Sequence, residues 1–362
     1  MTAGLRVVAL SDDLAARWDA CALAWDTAWF WQTTTWIAWA TAIAGEAFVS
    51  GQSFVLVNSA GDVVGLCPLN IEVRGGERTF AFLGAPTPAP AFDPALTSAE
   101  RDLAAALYVQ TLASIAQREG VTYGSLKMPF TGVLSASHLA VNPWLSHGYF
   151  DLPYLTQIVD LRKPESELWS DMRKGHRSDV KKASQRATAH IWDATTLTDD
   201  ILAQYRALHA KDAGRVTRSH TTFDMMAGWI RQGHAVLAEA RADGQPVAFA
   251  VIICYKTGAF YASGCRDPER MDVPGSHLVQ WEAMRWLKQR GCALYDVGLQ
   301  WSGPQWFYAP TPKEVSIAAY KRGFGGQNAP LVTAERFYSA ETMTRTFATR
   351  VQTFVAATGL EG

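Results

Sequence analysis

The chain has 362 residues, 48% hydrophobic and 19% charged, with 33 Lys and Arg against 34 Asp and Glu. That length suits two domains of ordinary size, and that composition excludes a disordered chain. The near-neutral balance gives no global pull toward nucleic acid or membrane, so such binding must come from a local patch.

The opening residues, Met1 to Arg6, lack the apolar core and cleavage pattern of a signal peptide. Ser11 can cap a helix through about Leu23, and Thr33 to Thr35 precede a helix holding Trp36, Trp39 and Ile43. Phe54 to Val57 and Val63 to Ile71 are β-branched apolar runs joined by Asn58-Ser-Ala-Gly61, a hairpin signal. Gly84 to Pro94 carries Pro86, Pro88, Pro90 and Pro94 and is expected to be a loop. Thr97-Ser-Ala-Glu100 has capping-box spacing and opens a helix to about Glu119, which Gly120 stops. Val121 to Met128 then reads as a strand.

The second half repeats this order. Ala235 to Ala240 and Pro246 to Tyr255 form a hairpin around Asp243-Gly244, and Ala259 to Gly264 is a further strand. Ser276 opens a helix to Arg290, Gly291 stops it, and Cys292 to Val297 is a strand. Gly61-Asp-Val-Val64-Gly65 parallels Gly244-Gln-Pro-Val247-Ala248, and Arg118-Glu-Gly120 parallels Gln289-Arg-Gly291. The matching order points to an internal duplication. Val247 to Tyr255, the longest apolar stretch, is far short of the ~20 residues a membrane span needs. Five scattered cysteines form no C-x-x-C pair or zinc spacing, so a reducing, cytoplasmic setting with no metal is expected.

Two features bear on chemistry. Arg173, Arg177 and Lys181 fall at i, i+4 and i+8 with Lys174 beside them, a basic helical stripe that is either a phosphate site or a solvated face. Trp301, Trp306, Phe307 and Tyr308 lie in a Pro-containing loop after the Tyr295-Asp296 strand, and either fold onto the core or wall a pocket; length and position favour the pocket. No Gly-x-Ser-x-Gly elbow, Walker A sequence or His-Glu-x-x-His is present, so serine, phosphoryl-transfer and zinc-hydrolysis mechanisms lose support.

A hairpin, a strand, a Gly-containing turn, a long helix and another strand resemble the central unit of the GNAT acyltransferase fold. Arg270-Met-Asp-Val-Pro-Gly275-Ser276 resembles a degenerate pyrophosphate loop, which would make Gly275, Ser276 and Lys181 phosphate-binding, although an ordinary helix start is the plainer reading. Two such halves resemble the Fem-type transferases, which move an amino acid from aminoacyl-tRNA to an amine. Phe30-Trp-Gln32 with Trp36, Val159-Asp-Leu161 with the following basic helix, Tyr295-Asp296-Val-Gly298, and Tyr320-Lys321-Arg-Gly-Phe324-Gly325-Gly326 carry that likeness. No lysine follows Trp36, and no coiled-coil arm is inserted, which argues against a nucleotide-linked cell-wall acceptor and for a smaller amine.

The resemblance implies an α/β (α+β) chain of two tandem GNAT-like domains, over 1–150 and 151–330, with a helical segment over 331–362 packing back. It makes Lys321, Asp296 and Tyr320 catalytic, and Trp36, Arg173, Lys174, Arg177, Trp301, Trp306, Tyr308 and Phe324 substrate-binding. The expected partners are aminoacyl-tRNA and a small amine, with no DNA, membrane insertion or resident cofactor. Acyl-CoA-dependent N-acylation and non-catalytic ligand binding on the same fold are the alternatives.

Overall fold

A computed structural model describes residues 4–132 and 142–360, which fall into two compact units. One comprises Met1–Tyr154, Gly303–Pro310 and Pro330–Gly362; the other comprises Leu155–Ser302 and Thr311–Ala329. The division at 150 and 330 expected from sequence is therefore too simple, because 303–310 and the last 33 residues belong with the first unit.

The first unit begins β1 (Arg6–Ala9), α1 (Asp12–Ala24), α2 (Thr34–Ala44), β2 (Phe48–Gly51), β3 (Phe54–Val57), β4 (Val63–Cys67) and β5 (Asn70–Arg74). The run expected as one strand from Val63 to Ile71 is broken at Pro68, which lacks the N–H a ladder needs. Next come β6 (Glu77–Phe80), β7 (Thr87–Pro88), β8 (Ala91–Phe92), α3 (Ser98–Glu119), β9 (Val121–Lys127) and β10 (Phe150–Asp151). Thr97 and Glu100 make both capping-box bonds of α3, and Gly120 closes it in the left-handed conformation.

The second unit runs β11 (Tyr154–Asp160), α4 (Glu165–Asp171), α5 (Lys174–Ser184), β12 (Thr188–Trp192), α6 (Asp199–Ala213), α7 (His220–Arg231), β13 (Ala235–Ala242), β14 (Gln245–Tyr255) and β15 (Gly258–Arg266). It continues with α8 (Gly275–Gln289), β16 (Leu294–Leu299), α9 (Pro312–Arg322) and β17 (Gln327–Leu331). The chain ends with β18 (Thr333–Phe337) and α10 (Ala340–Thr358), so its tail contains a strand as well as the expected helix.

Each unit has the same centre: antiparallel strands, a long helix, and a strand returning parallel to the last one. In the first unit β6 and β9 are the parallel pair around α3, in a sheet ordered β10-β18-β9-β6-β5-β2. In the second, β15 and β16 are the pair around α8, in the order β12-β13-β14-β15-β16-β11-β17. A core of Val236, Ala238, Ala250, Ile252, Leu278, Met284 and Leu287 seals α8 to its sheet. The small alanines let helix and sheet approach closely. Gly275 serves the same end, since a Cβ there would lie 2.8 Å from the Val247 side chain.

The Pro-rich stretch from Gly84 to Pro94 departs from expectation: it is largely buried, and β7 pairs with β9 while β8 pairs with β4. Ala89 N–H bonds Lys127 O at 2.9 Å, and buried Gln32 donates to Ala89 O at 3.0 Å. Side-chain and loop bonds hold a segment that prolines bar from an ordinary ladder.

Candidate active site

In the second unit, β15 and β16 share ladder pairs only at Gly258–Leu294, Ala259–Tyr295 and Phe260–Asp296. Past that point β15 stays paired to β14 and β16 to β11, so the parallel pair parts. On β15 the register shifts so that Ile252 faces Tyr261 and Val251 faces Ser263, leaving Ala262 as the extra residue of a bulge.

Lys321, in the last turn of α9, lies at this parting. Its ammonium is 6.0 Å from the centroid of the Tyr261 ring and sits over Gly298, where any Cβ would run into Nζ. Gly298 has φ +110°, which a side chain would strain, so sequence and space both require glycine here. Burial lowers the Lys321 pKa below 10.5, and the nearby Asp296 carboxylate opposes that shift. Asp296 is buried on β16; its Oδ1 accepts from Thr156 Oγ1 and, at 2.8 Å, from Gly298 N–H. Those bonds fix the carboxylate and the Gly298 turn together. The structure thus brings Lys321 and Asp296 into one site.

Tyr320 points elsewhere. It packs with His176, His277 and Phe324, at ring distances of 5.5, 5.1 and 5.0 Å. His176 accepts at Nδ1 from Arg173 (3.3 Å) and so carries its proton on Nε2, donating to Tyr320 O at 2.8 Å. Gly323 is needed beside it, because a Cβ would collide with the imidazole. Burial, then the neighbouring His176, push the His277 pKa down to about 4, so it is neutral at pH 7. His277 Nδ1 and Tyr320 Oη are both buried with no hydrogen-bond partner among the described residues, and burial raises the Tyr320 pKa. The packing of His277 on His176 depends on α5 and α8 meeting, which no local pattern reveals.

The basic stripe is more structural than its spacing suggested. Arg177 Nη1 donates to Ser170 O (2.6 Å) and Met172 O (2.8 Å), capping the end of α4. Lys181 lies 5.9 Å over the Trp169 ring, and Arg173 holds His176. Lys174 is exposed, and Ser276 sits in the first turn of α8.

The aromatic loop after β16 is divided. Trp301 is buried in the second unit, where its carbonyl accepts from Arg322. Trp306, Phe307 and Tyr308 belong to the first unit. There Trp306 stacks on Phe347 (6.0 Å, 13°) under the Arg350 guanidinium, and Phe307 packs on Tyr154 at 5.1 Å. This corrects the favoured pocket-wall reading: Trp306 and Phe307 fold down onto their own unit. Trp36 belongs to a separate aromatic cluster, 4.4 Å from Trp31 and 4.9 Å from Trp39.

Residues 170–321 match the family described as acetyltransferase (GNAT) domain. Among solved structures, FemX is similar over 94% of this chain and 99% of that one, with a TM-score of 0.68 and 13% identity. L-PGS from Bacillus licheniformis has a TM-score of 0.55 at 14% identity, covering 86% of this chain and 90% of that one. A tandem GNAT protein from the clavulanic acid biosynthesis pathway has a TM-score of 0.53 at 14% identity, covering 92% and 99%. Comparison with curated proteins gives no match. The chain therefore has the tandem GNAT fold of the Fem-type transferases, and its second unit carries an acyltransferase domain of the GNAT class.

Proposed function

We propose that the protein forms an amide by transferring an aminoacyl group from aminoacyl-tRNA to a small amine in the cytoplasm. The observation that supports this best is the Lys321 ammonium, desolvated over Gly298 beside Asp296, where β15 and β16 part. The donor ester is already activated, so no protein nucleophile is required. The amine nitrogen attacks the ester carbonyl, a C–N bond forms, the bond from the carbonyl carbon to the ribose oxygen breaks, and the amine's proton ends on the released ribose hydroxyl. A fixed cation near that carbonyl stabilises the oxyanion in between, and its partly dry surroundings strengthen the effect. Asp296 positions Lys321 and the Gly298 turn. Likeness to FemX and to L-PGS favours an aminoacyl donor.

Acyl-CoA is the second donor to consider, because the matching family is described as an acetyltransferase. The test incubates the protein with charged tRNA pools and candidate amines, with and without ribonuclease, beside arms supplied with acyl-CoA. Amide formation abolished by ribonuclease supports the tRNA donor. Product from acyl-CoA that survives ribonuclease replaces it, and no product with either donor refutes acyl transfer.

A further inference from the structure

On the α6–α7 side of the second unit's sheet, a cleft of about 320 Å³ is lined by the middle of α6, the connecting loop and the start of α7. Its walls are mostly apolar, with Phe223 inside and Val216 at the rim, yet it gathers Arg206, His209, Arg218 and His220. Arg206 is neutralised by Asp224 at 2.8 Å. Arg218 is not: the residue is partly buried, its guanidinium donates to Ser263 Oγ at 3.0 Å and touches Met226 Sδ, and it has no carboxylate within ion-pair distance among the described residues. Tyr205 also donates to Ser263 Oγ, at 3.1 Å, so that hydroxyl is held as a fixed acceptor that aims Arg218. An arginine that lines a cleft with no carboxylate partner among the described residues keeps N–H donors that an anion can take in place of water.

We propose that this cleft binds the anionic group of a small organic ligand with an apolar frame, a carboxylate or a phosphate, through Arg218. His209 and His220 flank the anion, and the α6 wall and Phe223 take the apolar part. Ser263 lies on β15 two residues beyond Tyr261, the ring under Lys321. The inference rests on the acyl-transfer reading only in assigning the ligand: the acceptor would be an amine that also carries an acidic group.

The test needs no donor and no turnover. Benzoate, phenyl phosphate and benzylamine are titrated calorimetrically into the whole protein. The expected result is saturable binding of benzoate or phenyl phosphate, the stronger of the two identifying the anion, and none of benzylamine. Arg218→Ala should weaken binding about tenfold or more, and Arg218→Lys should restore part of it, because a point charge replaces the fork. Should Arg218→Ala fail to fold, Val216→Trp serves instead: this rim position is 75% exposed, and the indole would fill the mouth while leaving the Arg218–Ser263 bond. Absence of saturable anion binding, or binding that every folded variant retains, overturns the proposal. Anion binding without turnover from any donor would leave the cleft standing and sink the acyl-transfer reading. Turnover on plain amines with no anion binding would do the reverse.

Discussion

Removing the Lys321 cation should abolish most turnover while leaving the second unit folded. The ammonium sits over Gly298, and burial lowers its pKa, so folding has already spent free energy desolvating this charge. Lys321→Ala relieves that penalty, and the net stability change should be small. In the transition state the same desolvation makes the cation effective: losing one such donor costs ~3–4 kcal/mol, or roughly 10²–10³ in kcat. Donor affinity should scarcely change, because the oxyanion does not exist in the bound ground state. Lys321→Arg should recover only part of the rate, since a planar fork cannot occupy the space of one ammonium above Gly298. The pH profile supplies a second readout. The cation is required, so activity must fall as pH rises through a pKa below 10.5, and Lys321→Arg must lose that alkaline limb. Stability moves the opposite way: the unfolded chain holds this proton more tightly, so stability rises over the same window. Single-turnover rates with the donor and amine identified above are the assay. Near-normal kcat in folded Lys321→Ala, with the alkaline limb intact, refutes the assignment.

Three further outcomes follow from the packing. Arg177→Ala removes two carbonyl caps at the end of α4 and should cost about 1–2 kcal/mol in urea melts, whereas Lys174→Ala at an exposed site should cost almost nothing. In the first unit, Arg350 makes 2.6 and 2.7 Å bonds to fully buried Glu335; Arg350→Ala removes that ion pair and leaves the carboxylate the Tyr123 Oη bond at 2.9 Å, and should cost about 3–5 kcal/mol, measured by chemical denaturation. His277 is lowered in the fold to about 4 from 6.5, so stability present above pH 6.5 is lost as pH falls toward 4. The loss is at most about 3 kcal/mol, and His277→Gln should flatten that part of the stability–pH curve.

The sequence made local structure readable wherever one residue type dictates backbone behaviour. The capping box at Thr97 and Glu100, the stop at Gly120 and the hairpin turn at Asp243-Gly244 all lie where spacing placed them. Lys321 and Asp296 were reached through two short motifs and lie near each other in the fold. What stayed hidden depends on contacts far apart in the chain. Arg177 read as part of a phosphate site or of a solvated face because nothing in its own helix announces the carbonyls of Ser170 and Met172. Trp306 looked like a pocket wall because Phe347 and Arg350, which pack against it, lie more than 40 residues away. Arg218 and Ser263 sit on different elements and meet only when α6 and α7 pack on β15.

The duplication also explains why the chemistry should reside in the second unit. Both units start from a parallel pair held by three ladder positions: Arg78–Val121, Thr79–Tyr123 and Phe80–Gly124 in one, Gly258–Leu294, Ala259–Tyr295 and Phe260–Asp296 in the other. Beyond the third position the first unit fills the gap with its own chain, as Thr87 and Pro88 pair alongside Leu126 and Lys127. That plug is proline-rich for a physical reason: prolines cannot extend a ladder, so the segment stops the gap without recruiting another strand. In the second unit the corresponding position beside β16 is met by a side chain, Lys321 Nζ over Gly298, and not by a strand. A paired segment pinned by Gln32 and the Ala89 N–H must break its bonds before anything can lie beside the strand, whereas the Lys321 cation could stay in place and contact a donor. Duplicating the fold therefore did not duplicate the site. The first copy's parting strands are met by its own chain, the second's by the Lys321 side chain.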